Sequence, residues 1–192
     1  IIMSANTSLY SIDAILILDS DKNRIFTKYY KSPHENTEND LITNPKKQKQ
    51  FEADLFKKTF KQNSDIILFE SHTIVYKEYS DFIVYIIGGL SENEILLYNV
   101  LQGLTGAFEI ILDSQLDKRS LLESYDMVVI AIDETVDDGI ILETDSSAIA
   151  ARVTNPPTED VGNIKIDLSE KGFLNAFNFA KKNIAERLQQ GF

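Results

Sequence analysis

The sequence has no cysteine and no tryptophan, and only two histidines among its 192 residues. Without cysteine, disulfides, thiolate zinc sites and cysteine nucleophiles are excluded, and a reducing compartment is favoured. No apolar run reaches the roughly 20 residues that a membrane-spanning helix needs. The start of the chain also lacks the charged and apolar segments of a secretory signal peptide. We therefore expect a soluble, cytosolic chain.

Basic residues are scarce relative to acidic ones. Lysine and arginine together number 19 against 30 acids, which gives a formal net charge of −11. Such a field repels nucleic acid and anionic membrane surfaces, so the composition disfavours direct binding to either. The apolar fraction of 43% is that of a globular protein. The length suffices for one domain with a sizeable core and a small appendage.

Five apolar segments predict β-strands, because they are short, rich in branched and aromatic residues, and bounded by polar turns. They span 10–18, 24–30, 65–70, 72–79 and 82–88. The first two form a hairpin and the last three an antiparallel meander. Between the two groups, 31–45 is predicted to be a surface loop. The segment 46–62 predicts a lysine-rich helix with phenylalanine and leucine on one face.

The stretch 91–113 predicts the central helix. Ser91 can cap its first turn and Glu94 can reach back to the cap, which makes a capping box. At about 100° per residue, the apolar side chains cover an arc of roughly 200°, whereas a surface helix needs a stripe little over ~100° wide. The helix is therefore predicted to bury two sides, one of them on its own sheet. The second cover is left open between a partner protein, the C-terminal helix and the lysine-rich helix, and we favour the partner.

A partner interface is accordingly predicted on this central helix. Its contacts share one apolar side at helical spacing: Leu97, Leu101, Leu104, Phe108 and Ile111. Gly103 and Gly106 interrupt the same helix, where each glycine costs about 1 kcal/mol of helix stability relative to alanine. We interpret both glycines as positions of close backbone packing.

The second half of the domain predicts further helices. A second capping box at 120–123 begins an apolar stripe that runs to Val136. This stripe predicts one helix, in preference to a strand over 127–132. The dipeptide Asp-Gly at 138–139 closes the helix, and a short helix follows at 145–152.

The ends of the chain are predicted to lie outside the domain, which spans 10–153. Residues 1–9 are expected to be disordered, and Ile1 and Ile2, which precede Met3, are expected to be foreign to the natural chain. A proline-containing linker at 154–168 leads to an amphipathic C-terminal helix at 169–192. Strands followed by helices predict an α+β fold. We expect a five-stranded antiparallel sheet flanked by helices on both faces, with the C-terminal helix as an appendage.

The residues offer no constellation for catalysis, for a metal or for a cofactor. His34 lies in the polar loop and His72 opens a strand. The triplet Asp19, Asp21 and Asn23 resembles the start of a calcium loop, but the sixth and twelfth positions lack the required glycine and acid. We interpret it as a hairpin turn and predict that the protein is not an enzyme.

Four long segments resemble a known family. They are AILILDSDKNRIFTKYY (14–30), KKQKQFEADLFKKTFKQNSDIILFE (46–70), VYKEYSDFIVYIIGGLSENEILLYNVL (75–101) and DKRSLLESYDMVVIAIDETVDDGIILETDSSAIAARV (117–153). These segments are similar to the zeta subunits of the coatomer (COPI) vesicle coat in their fungal form, which are small chains of the adaptor type. The resemblance implies a longin-like fold over 10–153.

The same resemblance implies a function and partners. It implies a non-enzymatic coat subunit that pairs with the trunk of the coatomer gamma subunit, beside other coatomer subunits. It places the protein in the cytoplasm, peripheral on Golgi membranes and COPI vesicles, with an indirect link to an Arf-family GTPase. The transport step would be Golgi-to-endoplasmic-reticulum and intra-Golgi. The alternative is a longin-type regulatory module of a membrane-fusion or GTPase-exchange protein.

Overall fold

The computed structural model describes residues 8–31, 44–62, 64–113 and 116–155. Along these residues the strands and helices follow in the order β1 (Ala14–Asp19), β2 (Arg24–Tyr29), α1 (Pro45–Thr59), β3 (Ile66–Phe69), β4 (His72–Glu78), β5 (Phe82–Gly89), α2 (Glu94–Ile111), α3 (Lys118–Glu123), α4 (Tyr125–Thr135), β6 (Val136–Asp137), β7 (Ile140–Ile141) and α5 (Ser146–Thr154). Of the predicted outer segments, 1–7 and the part of the linker and C-terminal helix after 155 lie outside the described residues. His34 lies outside them too.

The five longer strands form one antiparallel sheet in the order β2-β1-β5-β4-β3. β1 lies in its interior, where Leu16 is paired with Thr27 of β2 and with Tyr85 of β5. Every residue of β1 is buried. This burial explains the apolar run AILIL at 14–18, because both faces of the sheet are covered. The predicted α+β fold, with five antiparallel strands and helices on both faces, is confirmed.

One face of the sheet is covered by the lysine-rich helix α1. Its apolar side chains Phe51 and Leu55 are buried against β1 and β5. An ion pair fixes the helix on β2, since Nε and Nη2 of Arg24 donate to the two carboxylate oxygens of Glu52 at 2.6 and 2.7 Å. The hydroxyl of Tyr29 donates to the same carboxylate at 2.9 Å. Glu52 is therefore a buried acid whose charge is matched within the fold.

The other face of the sheet is covered by α2 and α4, with α5 packed against both. Here Ile15 and Ile17 of β1 and Val84 and Ile86 of β5 meet the buried sides of the helices. Lys28 on β2 pairs with Asp133 on α4 at 2.8 Å, which locates α4 at the β2 side of the sheet. Within the described part of the chain, the segment 46–62 thus covers one face of the sheet, and the helices after β5 share the other.

Two helix boundaries differ from the sequence prediction in the second half of the domain. The predicted single helix is two helices, because the chain breaks at Ser124. The first of them is capped by Asp117, whose carboxylate accepts from the backbone N–H of Ser120 at 2.7 Å, and not by Ser120. The helical prediction over 127–132 is confirmed, since these residues lie in α4.

The end of α4 also differs from the sequence prediction, which closed the helix at Asp138 and Gly139. The helix ends at Thr135, and β6 and β7 form a two-stranded ribbon across Asp138 and Gly139. Both turn residues have positive φ, at 48° and 84°, as the tight turn of a two-residue hairpin requires. A Cβ at Gly139 would also lie 2.8 Å from the carbonyl oxygen of Ile12. Asp-Gly at this point is a hairpin turn, not a helix end.

Candidate partner interface

The central helix α2 begins at Glu94, and its cap is Asn93. The side-chain oxygen of Asn93 accepts from the backbone N–H groups of Ile95 at 2.9 Å and Leu96 at 3.4 Å. The predicted cap, Ser91, lies exposed in the turn after β5. Asparagine and serine are about equally good caps, so the path of the chain out of β5 decides between them.

Four of the five predicted interface side chains lie inside the domain's own core. Leu97, Leu101, Leu104 and Phe108 each have 0% of their surface exposed. They pack with the sheet and with α4 and α5. These four side chains have no surface left for a partner, which corrects their assignment. The fifth, Ile111, is half-buried at the end of α2.

The second cover of α2 comes from the same chain. A Cβ added to Gly103 would overlap the backbone carbonyl of Thr144, and one added to Gly106 would overlap the hydroxyl of Ser146. The prediction of close packing at both glycines is therefore confirmed, and the close neighbour is the start of α5. Most of the wide apolar arc is buried in this way, not against a partner or against α1 as the alternatives allowed. Ile110 of that arc remains half exposed.

A different apolar surface lies on α3 and α4. Four large side chains within nine residues are 38–51% exposed: Leu122, Tyr125, Met127 and Ile130. We call these four residues the α3–α4 surface. The sequence pattern placed Leu122 and Tyr125 on the buried stripe of one long helix. Because the helix is broken at Ser124, the two shorter helices do not share one continuous apolar stripe, and both residues are exposed.

A depression of about 430 Å³ adjoins this surface and is lined by Asp81, Lys118, Arg119, Leu122 and Glu123. Its acid Asp81 accepts the backbone N–H of Lys118 through both oxygens, at 3.0 Å each. The ammonium of Lys118 donates to Asp19 at 2.7 Å. The charged groups of the depression thus hold α3 on the end of the sheet, and Leu122 joins the depression to the α3–α4 surface.

Asp19 is the buried acid of this arrangement, with 2% of its side chain exposed. Burial by itself raises the pKa of Asp19. The Lys118 ammonium and hydrogen bonds from Asn23 and Asp21 outweigh burial and hold the pKa below its ordinary value. The backbone N–H groups of Asp21 and Asn23 donate to its carboxylate at 2.9 and 2.7 Å. The predicted hairpin turn is confirmed.

His72, the remaining candidate for chemistry, contacts neighbouring groups of the fold. Nδ1 of His72 lies 2.8 Å from the carbonyl oxygen of Glu70, and Nε2 lies 3.7 Å from a carboxylate oxygen of Asp13. Among the described residues, no group of three or more histidines and acids could hold a metal ion. The helices in this part of the chain also include none long and apolar enough to cross a membrane.

Comparison with known proteins identifies the family. Residues 11–159 match the family described as the clathrin adaptor complex small chain. Coatomer subunit zeta of Saccharomyces cerevisiae is 49% identical over 97% of this chain and 99% of its own length. Coatomer subunit zeta-1 of Homo sapiens is 42% identical over 76% of this chain and 78% of its own length.

A solved-structure comparison gives the same fold. A chain in a homology model of the full-length AP-3 complex, in a stretched open conformation, superposes with a TM-score of 0.56. The match covers 74% of this chain and 90% of that one, at 18% identity, so this likeness supports the adaptor small-chain fold alone. Coatomer zeta subunits and adaptor small chains are structural coat components, not enzymes. This chain therefore belongs to the clathrin adaptor complex small-chain family, in the branch of the coatomer zeta subunits.

Proposed function

We propose that this chain is the small subunit of the COPI coat that pairs with the trunk of the gamma subunit, and that it meets this partner through the α3–α4 surface. In the assembled coat it lies on the cytosolic face of Golgi membranes and COPI vesicles. An Arf-family GTPase recruits it indirectly, and the transport steps are Golgi-to-endoplasmic-reticulum and intra-Golgi. The observation that carries the partner proposal is the cluster of four exposed apolar side chains on a chain with coat-subunit relatives.

The chemistry of the α3–α4 surface fits a helical partner. Met127 and Ile130 stand three residues apart on α4, which is the spacing that an apolar helix face presents to a groove or a second helix. Fully burying a side chain of this size contributes about 1.5–3 kcal/mol, so four half-exposed ones contribute on the order of 4 kcal/mol. Glu123 and Asp126 are exposed beside them. These acids fit basic residues at the rim of the partner's surface.

The test is pairing with a gamma-type trunk expressed together with the chain. Ile130→Asp places a charge in the α3–α4 surface and is expected to weaken pairing by about 3 kcal/mol, roughly a hundredfold in Kd. Because Ile130 is 46% exposed in the free chain, we expect circular dichroism and solubility of the variant to stay normal. Co-purification and titration calorimetry measure the loss.

Leu68→Asp is the matched control. Leu68 is 65% exposed on β3, at the edge of the sheet opposite the β2 side where Asp133 anchors α4. We expect this variant to pair normally. Equal pairing of wild type and Ile130→Asp would disprove the α3–α4 interface. A soluble, monodisperse wild-type chain that ignores the trunk would disprove pairing itself.

A further inference from the structure

The described chain carries one concentrated basic region, on α1 and the residues that follow it. Six of the 19 basic residues lie between positions 46 and 61, against two acids. The six are Lys46, Lys47, Lys49, Lys57, Lys58 and Lys61, and all are exposed. The net charge of −11 is a sum over the whole chain, so it does not reveal this local excess of lysine.

The fold places these lysines together because it uses the opposite side of α1 for the core. Phe51, Leu55 and Phe56 are buried on the sheet, so the lysines line the outward side. Of the two acids, Glu52 is buried and paired with Arg24. Asp54 pairs with Lys57 at 2.7 Å. We call the outward side of α1, with Lys61, the lysine face.

Neighbouring aromatic rings orient several of the ammonium groups. Lys58 lies 4.9 Å from the ring centre of Phe69, and Lys61 lies 5.0 Å from that of Phe60. Lys22, in the turn between β1 and β2, lies 5.9 Å from the ring centre of Phe56 and so extends the lysine face sideways. Aromatic rings bear no formal charge. These contacts therefore hold the lysines in position without neutralising them.

A depression of about 330 Å³ lies at the border between α1 and the β1–β2 turn. Its lining includes Lys22 and Lys49, together with Arg24 and Glu52. Arg24 and Glu52 neutralise each other, with N–O distances of 2.6 and 2.7 Å. The two lysines therefore set the charge of the depression, which suits an anionic headgroup.

We propose that the lysine face contacts the anionic cytosolic leaflet of the membrane on which the coat assembles. A helix lying on a sheet presents a convex ridge of exposed ammonium groups, which fits a broad anionic surface better than it fits an extended acidic peptide needing a groove. Clustered lysines next to such a leaflet each raise binding about fivefold. The proposal rests on the proposed function, because the coat brings the chain to the membrane. It adds a direct lipid contact to the association through other subunits.

The absence of cysteine allows a site-specific test on the full chain. Gln50→Cys places a single environment-sensitive fluorophore on the lysine face. Gln102→Cys places one at an exposed position of α2, which packs on the other face of the sheet. Each labelled chain is titrated with vesicles of phosphatidylcholine, with and without roughly 30% phosphatidylserine. We expect the Gln50 label to respond only to the phosphatidylserine vesicles, and less as salt screens the charges. The Gln102 label is expected to stay unchanged.

Two triple variants match the loss of charge. Lys46→Gln with Lys49→Gln and Lys61→Gln removes three charges from the lysine face and is expected to weaken vesicle binding about a hundredfold. Lys28→Gln with Lys77→Gln and Arg119→Gln removes three charges whose partners lie elsewhere, and is expected to bind like wild type. Both variants lower the net charge by the same amount.

Three results of the vesicle titrations would overturn the lipid proposal. They are no phosphatidylserine response at the Gln50 label, an equal response at both labels, and binding that survives loss of the three lysine-face charges. A Gln50 response to polyglutamate but not to phosphatidylserine vesicles would also overturn it, in favour of an acidic protein segment. The assay contains no gamma trunk, so its failure is distinct from a failure of pairing.

Discussion

Gly103 and Gly106 show how a single side-chain atom can decide the packing of α2 on α5. Gly103 faces a backbone carbonyl, that of Thr144, whereas Gly106 faces the movable hydroxyl of Ser146. A backbone group can yield only if the start of α5 moves, but a serine side chain can rotate away. The two glycines therefore differ in how much they constrain the fold, although they look alike in the sequence.

Gly103→Ala is expected to destabilise the domain by about 1–3 kcal/mol through overpacking, even though alanine favours the helix by about 1 kcal/mol. Gly106→Ala is expected to be close to neutral, and Gly106→Ala with Ser146→Ala to be at least as stable as wild type. Urea denaturation measures all three. A Gly103→Ala variant as stable as wild type would contradict the close contact with Thr144.

At the residue scale the sequence also shows why the interface prediction failed. A helix with an apolar arc of roughly 200° needs two covers, and this much was correct. The pattern does not say which chain supplies the second cover. Leu101 and Phe108 share a core with Ile149 of α5, which lies 48 positions after Leu101 in the chain, and no local spacing encodes such a contact. The exposure of Leu122 and Tyr125, which the pattern placed on the buried stripe, is equally a property of the tertiary packing.

At the scale of elements, long periodic segments were predictable and their ends were less so. All five strands and the helices α1, α2, α4 and α5 lie within or close to the predicted ranges. The strands were predictable because burial on both faces of the sheet makes them short apolar runs bounded by polar turns, and the helices because burial of one side imposes a period of about 3.6. Neither predicted capping box caps its helix. Asn93 caps α2 in place of Ser91, and Asp117 caps α3 in place of Ser120. The Asp-Gly signal of a two-residue hairpin was present at 138–139, but the helical stripe outweighed it in the interpretation.

The cap of α2 gives a direct test at this scale. Asn93→Ala removes the acceptor for two backbone N–H groups and is expected to cost about 1 kcal/mol of stability. Ser91→Ala, the matched variant at the cap expected from the sequence, is expected to leave stability within about 0.5 kcal/mol of wild type. Thermal unfolding followed by circular dichroism compares them, and the reverse order of effects would contradict Asn93 as the cap.

At the scale of the whole molecule, the Asp19–Lys118 pair links the end of β1 to α3 and makes global stability depend on pH. The pKa of Asp19 is lowered in the folded state, so its contribution is fully present above the unfolded value of about 3.9 and is lost as pH falls through the folded value. Asp19→Asn is expected to lower stability by about 1–2 kcal/mol at neutral pH, because Lys118 is partly exposed and solvent screens the pair.

Urea denaturation of both proteins across pH measures this contribution. The gap in free energy of unfolding between wild type and Asp19→Asn is expected to stay constant from neutral pH to about pH 5 and to close below about pH 4. Other carboxylates titrate in both proteins and cancel in the difference. A gap that widens in acid would contradict the lowered pKa.

The ribbon of β6 and β7 has a consequence for the synthesis of the protein on the ribosome. The carbonyl oxygen of Gly139 accepts from the backbone N–H groups of Ser11 and Ile12, both at 3.1 Å, so the segment just before β1 is tied to a turn 128 positions after Ser11. A nascent chain that has emerged only as far as α2 still lacks the residues that cover it. Contacts of such long range form slowly, and apolar surface exposed in the meantime is prone to aggregate. We therefore expect folding to complete only after α5 has left the exit tunnel, and the apolar sides of α2 to be prone to aggregation until then.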